Sequence, residues 1–313
     1  MRNNAYMTYV LIALILYLSF SPSLSIDTGF NYLNITSERQ TCSVYNEVVA
    51  KQLTLYTGAA YCCGLLGKGC EQWNCPICSI LPMQNLTVIK NASTDANGFV
   101  GYNPLNNTII VTFSGTNPHV IQDWINDLDA IMVEYTPPSN IYSCPGCQVH
   151  KGFYLAYLSI EAQVWTAVRK LHRKHWNARV QITGHSLGAA LALHCAIDLS
   201  LNLKLATDAV YTLGQPRVGN TPFANFIDKH GPTVWRITHA RDPVPHVPVS
   251  NWGFHHVNRE IFYPNDTLSH RLCDGGENVT CSDQYDNLTN TSLNDHYLYL
   301  DFNYTKCGDE CQH

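Results

Sequence analysis

Charge is scarce in this chain: Asp, Glu, Lys and Arg make up 14% of its 313 residues, against about 25% in an ordinary globular protein. No cluster of cations exceeds the short group Arg169-Lys170-x-x-Arg173-Lys174, and the formal net charge is −5 with histidine counted as neutral. Binding nucleic acid needs a basic face to neutralise phosphates, so that class of partner is excluded. Internal repeats and low-complexity runs are also missing, which excludes solenoids and extended disordered tails. The sequence has a single long apolar run, residues 9–20. It falls short of the ~20 residues a spanning helix needs, so no stable transmembrane anchor is expected.

That run follows a lone charge, Arg2, and ends at the small-residue pattern Ser23-Leu24-Ser25. Residues 1–25 therefore read as a secretory signal peptide cleaved near Ser25, and the mature protein is expected outside the cell. Residues 26–313, rich in apolar side chains, suit one large domain with a substantial core. A monomer is expected. Sequons at Asn34, Asn85, Asn91, Asn106, Asn265, Asn278, Asn287, Asn290 and Asn303 offer glycan sites to a surface poor in charge.

Thirteen cysteines in an exported chain argue for disulfides. The number is odd, which leaves at least one thiol free. Cys195 is the candidate, because it stands among Leu191, Leu193 and Ile197 on a helical pattern, where a thiol acts as a small apolar group. The spacing Cys70-x4-Cys75-x2-Cys78 has no histidine beside it, so disulfides are expected there and a zinc site is not.

Apolar spacing and turn residues give an alternation of elements. Residues 107–113 (NTIIVTF) read as a buried strand followed by a Ser-Gly-Thr turn, and residues 153–175 carry apolar side chains at helical spacing. Residues 178–183 read as a strand, 187–203 as a helix, and 209–213 and 233–239 as further strands. Strand and helix in alternation imply a mainly parallel central sheet flanked by helices, in a single α/β domain.

Gly184-His185-Ser186-Leu187-Gly188 falls between an expected strand and an expected helix. A Gly-x-Ser-x-Gly pentapeptide alone is weak evidence, but in that position it has the form of a nucleophile elbow. The tight turn tolerates no bulk two residues to either side of the serine. The helix that follows directs free N–H groups toward negative charge growing on a substrate. Serine needs a histidine to take its proton and a carboxylate to hold that histidine in the right tautomer. Asp242, just past the strand 233–239, fits the acid better than Asp208 or Asp228, neither of which directly follows an apolar strand. For the base, His296 heads the run Tyr297-Leu298-Tyr299-Leu300, and spacing alone does not separate it from His255, His256 or His270.

In order along residues 50–311 stand Val111-Thr112-Phe113-Ser114-Gly115-Thr116, Asp123-Trp124-Ile125-Asn126-Asp127-Leu128 and Cys144-Pro145-Gly146-Cys147-Gln148-Val149-His150-Lys151-Gly152-Phe153. The serine pentapeptide follows, then Pro216-Arg217-Val218-Gly219-Asn220, Asp242-Pro243-Val244-Pro245 and Asp295-His296. In these motifs the chain resembles the class 3 lipases, the fungal triacylglycerol lipases and their feruloyl esterase relatives. The resemblance implies an α/β-hydrolase fold and a triad of Ser186, Asp242 and His296. It also implies an oxyanion hole made by the backbone N–H groups of Thr116 and Leu187. Ser114 stands where many fungal members have arginine. The implied reaction is hydrolysis of a carboxylic ester through an acyl-enzyme, with neither cofactor nor metal, on a lipid substrate at an oil-water interface. The resemblance further implies a disulfide between Cys144 and Cys147. Cys42 with Cys307 or Cys311 would join the two ends of the domain, whereas pairing among Cys62, Cys63, Cys70, Cys75, Cys78, Cys273 and Cys281 stays open.

Residues 117–128 place Val120, Ile121, Trp124, Ile125 and Leu128 on one helical face and Gln122, Asp123, Asn126 and Asp127 on the other. Asn117 and Pro118 suit an N-cap and first helical residue. The matching segment in fungal lipases is a lid, and the same role is expected here, against a helix packed permanently on the core. Feruloyl esterase and phospholipase A1 are the alternative activities. A secreted binding glycoprotein that keeps the fold without turnover is the alternative of a different class.

Overall fold

The computed structural model describes residues 44–66, 72–137, 141–265, 269–286 and 288–306. The expected signal peptide, Asn34, Asn287, Cys42, Cys70, Cys307, Cys311 and the side chain of Cys63 lie outside the described residues.

Eight strands form the central sheet, and their spatial order is their order in the chain. They are β1 (Gln84–Asn91), β2 (Ala96–Asn103), β3 (Thr108–Phe113), β4 (Arg179–His185), β5 (Thr207–Leu213), β6 (Val234–His239), β7 (Glu260–Tyr263) and β8 (Arg271–Cys273). β1 to β3 pair antiparallel and β7 pairs antiparallel with β8. The block from β3 to β7 is parallel throughout, with Val111 opposite Ile182 and Thr212 opposite Arg236. A mainly parallel sheet covered on both faces explains why β3 and β6 are buried at every position.

Alternation along each strand divides the core in two. Ile109, Val111 and Phe113 join Val180 and Ile182 in one cluster, beneath α3 (Lys151–Leu158), α4 (Glu161–Lys174), α5 (Leu187–Leu201) and α6 (Thr221–His230). Ile110, Tyr211, Leu213 and Ile237 face the other way, onto α1 (Glu47–Leu66). Helix α5 is buried nearly all round, as its lack of a polar face requires. In α4, Val164, Ala167, Val168 and Leu171 turn inward and the cations close the last turn, where they oppose the negative helix end.

Two expected boundaries shift. The pattern over residues 153–175 is two helices, because Ser159 donates its hydroxyl to the Ala156 carbonyl at 2.7 Å and bonds the Thr94 hydroxyl at 2.9 Å. Such a local bond competes with the helical ladder, and apolar spacing that continues through Ile160 conceals the break. In the segment 117–128 the helix α2 starts only at Ile121 (Ile121–Asn126). Asn117 instead closes a turn, with its side chain accepting from His119 N–H and its carbonyl from Val120 N–H.

Disulfides join Cys75 to Cys78, Cys144 to Cys147, and Cys273 to Cys281. The pair implied for Cys144 is thus present, and two of the open pairings are assigned. Cys195 is a buried free thiol, its ionisation pushed well up by burial. Among the described residues no helix is long and apolar enough to cross a membrane.

Candidate active site

The parallel block brings the site together at the carboxyl ends of its strands. Ser186 follows β4 with φ 59° and ψ −128°, a conformation costly to any residue with a side chain. Its neighbours explain how the turn closes. A Cβ on Gly184 would stand 2.0 Å from the Gly188 carbonyl oxygen, and one on Gly188 would stand 2.4 Å from that of Phe113. The Ser186 N–H is held by the Leu213 carbonyl at 3.0 Å. The next residue, Gly214, has φ +55°, and a Cβ there would lie 2.8 Å from Asp242 Oδ2 and 3.2 Å from His296 Cε1. The three candidate residues therefore converge on the β4 and β5 ends.

Asp242 lies in the turn after β6, and His296 in the short helix α7 (Leu293–Tyr297). Both are almost wholly buried. His296 Nδ1 sits 3.0 Å from Asp242 Oδ1 and 2.9 Å from Oδ2. Tyr299 donates its hydroxyl to Oδ2 at 2.5 Å, and Val244 N–H donates to Oδ1 at 2.8 Å. Burial alone would raise the Asp242 carboxyl. The His296 charge, its hydrogen bond and the two further donors outweigh that and hold it below the usual carboxylate range.

Ser186 Oγ is fully buried and makes no hydrogen bond among the described residues. Catalytic contacts often tighten only when substrate is bound. The turn 114–116 packs on the serine, since a Cβ on Gly115 would meet Ser186 Cβ at 2.7 Å. Thr116 and Leu187, the candidate oxyanion donors, are both buried here.

The rivals are engaged elsewhere. Asp208 pairs with Arg179 at 3.0 Å and Asp228 accepts the Asn258 N–H. His256 Nε2 contacts the Pro245 carbonyl at 2.7 Å, while His255 and His270 lie beside Glu277 and Glu47.

Three supports were not foreseen from the sequence. Tyr299 is one, three residues beyond His296. The second is a chain in which the Tyr61 hydroxyl contacts His185 Nδ1 at 2.6 Å and His185 Nε2 contacts the His296 carbonyl at 2.9 Å. Burial first, and then the charge of His296, keep His185 well below the ordinary histidine value. Its Nε2 faces an acceptor, so a neutral His185 carries its proton there and takes the Tyr61 proton on Nδ1. The third is Arg217, fully buried, which donates to Glu277, Asp283 and Asp286 and to the His246 and Pro248 carbonyls. It ties the segment after Asp242 to the one that leads toward His296. Tyrosines and arginines of this kind carry no signal in spacing alone.

The segment 117–128 borders the site, where Trp124 and Leu128 line a cleft with Leu187. Ile121 is buried, Trp124, Ile125 and Leu128 are half-buried, and Gln122, Asp123, Asn126 and Asp127 are exposed, so the expected amphipathic division holds within the helix, whereas Val120, expected on the apolar face, precedes the helix and is 45% exposed. Trp124 stacks on Phe153 with ring centres 6.1 Å apart. Beneath it a cleft of about 390 Å³ extends from Leu187 along Phe153, Leu155, Leu128 and Ile131.

This buried acid-histidine pair beside a strained serine can be set against known proteins. The family model described as lipase (class 3) matches residues 110–252. A lipase of Rhizomucor miehei is 33% identical over 267 residues, 82% of this chain and 70% of that protein. The chain belongs to the class 3 lipase family. A secreted mono- and diacylglycerol lipase of Malassezia globosa is 34% identical over 180 residues, 55% of this chain and 57% of that protein. A solved triacylglycerol lipase whose catalytic centre is a serine protease triad superposes with a TM-score of 0.70 at 31% identity, covering 84% of this chain and 98% of that one. As a class 3 lipase with the α/β-hydrolase fold, the chain is a serine ester hydrolase.

Proposed function

We propose that the protein is a secreted triacylglycerol lipase in which Ser186 is the nucleophile, His296 the general base and Asp242 the acid that orients it. The observation that carries this reading is the buried His296–Asp242 pair, 2.9 Å apart, beside the serine turn. Asp242 has only donors around it, so it stays ionised, fixes the His296 proton on Nδ1 and leaves Nε2 to take the Ser186 proton. Ser186 Oγ attacks the ester carbonyl, and the N–H groups of Leu187 and Thr116 receive the oxyanion. His296 then protonates the leaving alcohol, and water activated by the same base releases the acid.

The cover 117–128 supports a lipid substrate. Its inward residues are apolar, and below them runs a cleft walled by Phe153, Leu155 and Leu128. In water it shields Ser186, and at a lipid surface its apolar face exchanges core contacts for lipid contacts. The proposed leader 1–25 and the sequons match export, since every sequon asparagine among the described residues is at least partly exposed.

The mature chain and Ser186→Ala, assayed on p-nitrophenyl butyrate, emulsified long-chain triacylglycerol, phospholipid and methyl ferulate, test the proposal. Triacylglycerol is expected to be turned over fastest, with all activity lost in the variant. A preference for phospholipid or ferulate would replace the substrate assignment. A folded wild type inert on every ester would leave a binding glycoprotein.

A further inference from the structure

Tyr297 directly follows His296, and its hydroxyl donates a 2.9 Å hydrogen bond to the Pro118 carbonyl. Pro118 lies two residues beyond Thr116 and three before the helix α2. One side chain thus joins the segment carrying the base to the hinge of the cover. We propose that Tyr297 is a latch, a positioning residue that holds the cover 117–128 shut over Ser186 in water. This rests on the cover reading given above.

The two kinds of contact that close the cover respond differently to lipid. Trp124 and Leu128 pack against the apolar core and Ile121 is buried, and a hydrocarbon phase replaces such contacts at little cost. The Tyr297–Pro118 bond is polar and precedes the helix α2, so hydrocarbon does not substitute for it. It weighs against opening in every medium, and its weight is felt where the closed state dominates. An exchange-limited hydrogen bond of this type shifts a two-state population by about 2- to 10-fold. Once lipid has already opened the cover, the same bond changes little.

Tyr297→Phe removes only the hydroxyl from a half-buried ring. Initial rates on dissolved p-nitrophenyl butyrate and on emulsified triacylglycerol are compared for both proteins. In the same detergent-free buffer, the rate at which diethyl p-nitrophenyl phosphate inactivates Ser186 is followed by nitrophenolate release. The variant is expected to act on dissolved ester, and to be inactivated, about 2- to 10-fold faster, with its rate on emulsion nearly unchanged. An unchanged ratio of dissolved to emulsified activity in the variant, with a wild type that prefers emulsion, overturns the latch and spares the cover. A wild type with no preference for emulsion overturns both. Equal loss on both substrates means that Tyr297 only supports His296, and that also overturns the latch.

Discussion

Replacing Asp242 by asparagine keeps the shape of the side chain and changes only its capacity to accept. Oδ1 receives Val244 N–H and lies 3.0 Å from His296 Nδ1, while Oδ2 receives the Tyr299 hydroxyl and lies 2.9 Å from the same Nδ1. An amide NH₂ in the Oδ1 position would face a backbone N–H that has no lone pair to offer. In the Oδ2 position it meets a hydroxyl that can rotate and accept. The asparagine is therefore driven to place NH₂ at Oδ2, 2.9 Å from His296 Nδ1, where the amide donor favours an Nδ1 that accepts over one that donates to Oδ1. The imidazole proton moves to Nε2, and a protonated Nε2 cannot take the Ser186 proton. Loss of the correct tautomer in a serine triad costs about 10⁴-fold in kcat. We expect that fall on dissolved p-nitrophenyl butyrate at pH 7 to 8, with far-UV circular dichroism unchanged. Asp208→Asn and Asp228→Asn are expected to stay within about 3-fold of wild type, because surface changes away from a site perturb little. A folded Asp242→Asn enzyme within tenfold of wild type would refute the assignment of the acid.

Other consequences can be measured independently. Tyr299→Phe removes a hydrogen bond to a buried charge and is expected to cost about 1.5–3 kcal/mol in urea unfolding at neutral pH. It should also move the acid-side loss of activity to higher pH, because one of the donors that lower Asp242 is gone. Gly115→Ala puts a methyl 2.7 Å from Ser186 Cβ and 2.8 Å from the His185 carbonyl oxygen. The displaced turn should lower kcat by about 100-fold or more, as the loss of an oxyanion donor does; normal kcat would show that residues 114–116 do not form the hole. Burial lowers His150 to about 4 against the opposing pull of Asp129, burial and then the Arg217 cation lower His246 to about 4, and burial and then His150 lower His194 to about 3. Between those values and the unfolded value near 6.5 the unfolded chain binds more protons, so their contribution is present above about pH 6.5 and lost as pH falls. His194→Leu should flatten the acid side of a stability-pH profile by up to about 1.4 kcal/mol per pH unit, and an unchanged slope would contradict it. Asp283 has the opposite sign: burial, then Glu277 and Asp286, push it up to about 6. Stability therefore falls as pH rises from about 4 to 6, and Asp283→Asn should gain stability relative to wild type above that window.

What the sequence made legible follows from how local each cause is. The buried strands β3 and β6 and the serine turn are set by neighbours a few residues apart, and β-branched runs and Gly184 and Gly188 state them directly. Asp242 was legible for the same reason, because a carboxylate just past an apolar strand in a parallel sheet must emerge where Ser186 emerges. His296 was not, since its place depends on contacts far along the chain. It is held by the His185 bond to its carbonyl, by His239 Nδ1 on the Asp295 carbonyl at 2.9 Å, and by Asp295 Oδ2 on Arg241 N–H at 2.9 Å. None of these has a periodicity, and only family resemblance singled it out. The same limit explains Arg217. The motif Pro216-Arg217-Val218-Gly219-Asn220 was visible, but its arginine serves three carboxylates 60 to 69 residues downstream. Glu277 and Asp286, both held below the carboxylate range by the cation against the cost of burial, are the partners that compensate its buried charge. That makes Arg217 the brace between the segments carrying acid and base, and explains why a motif with no atom near the reacting ester stands beside those that have one.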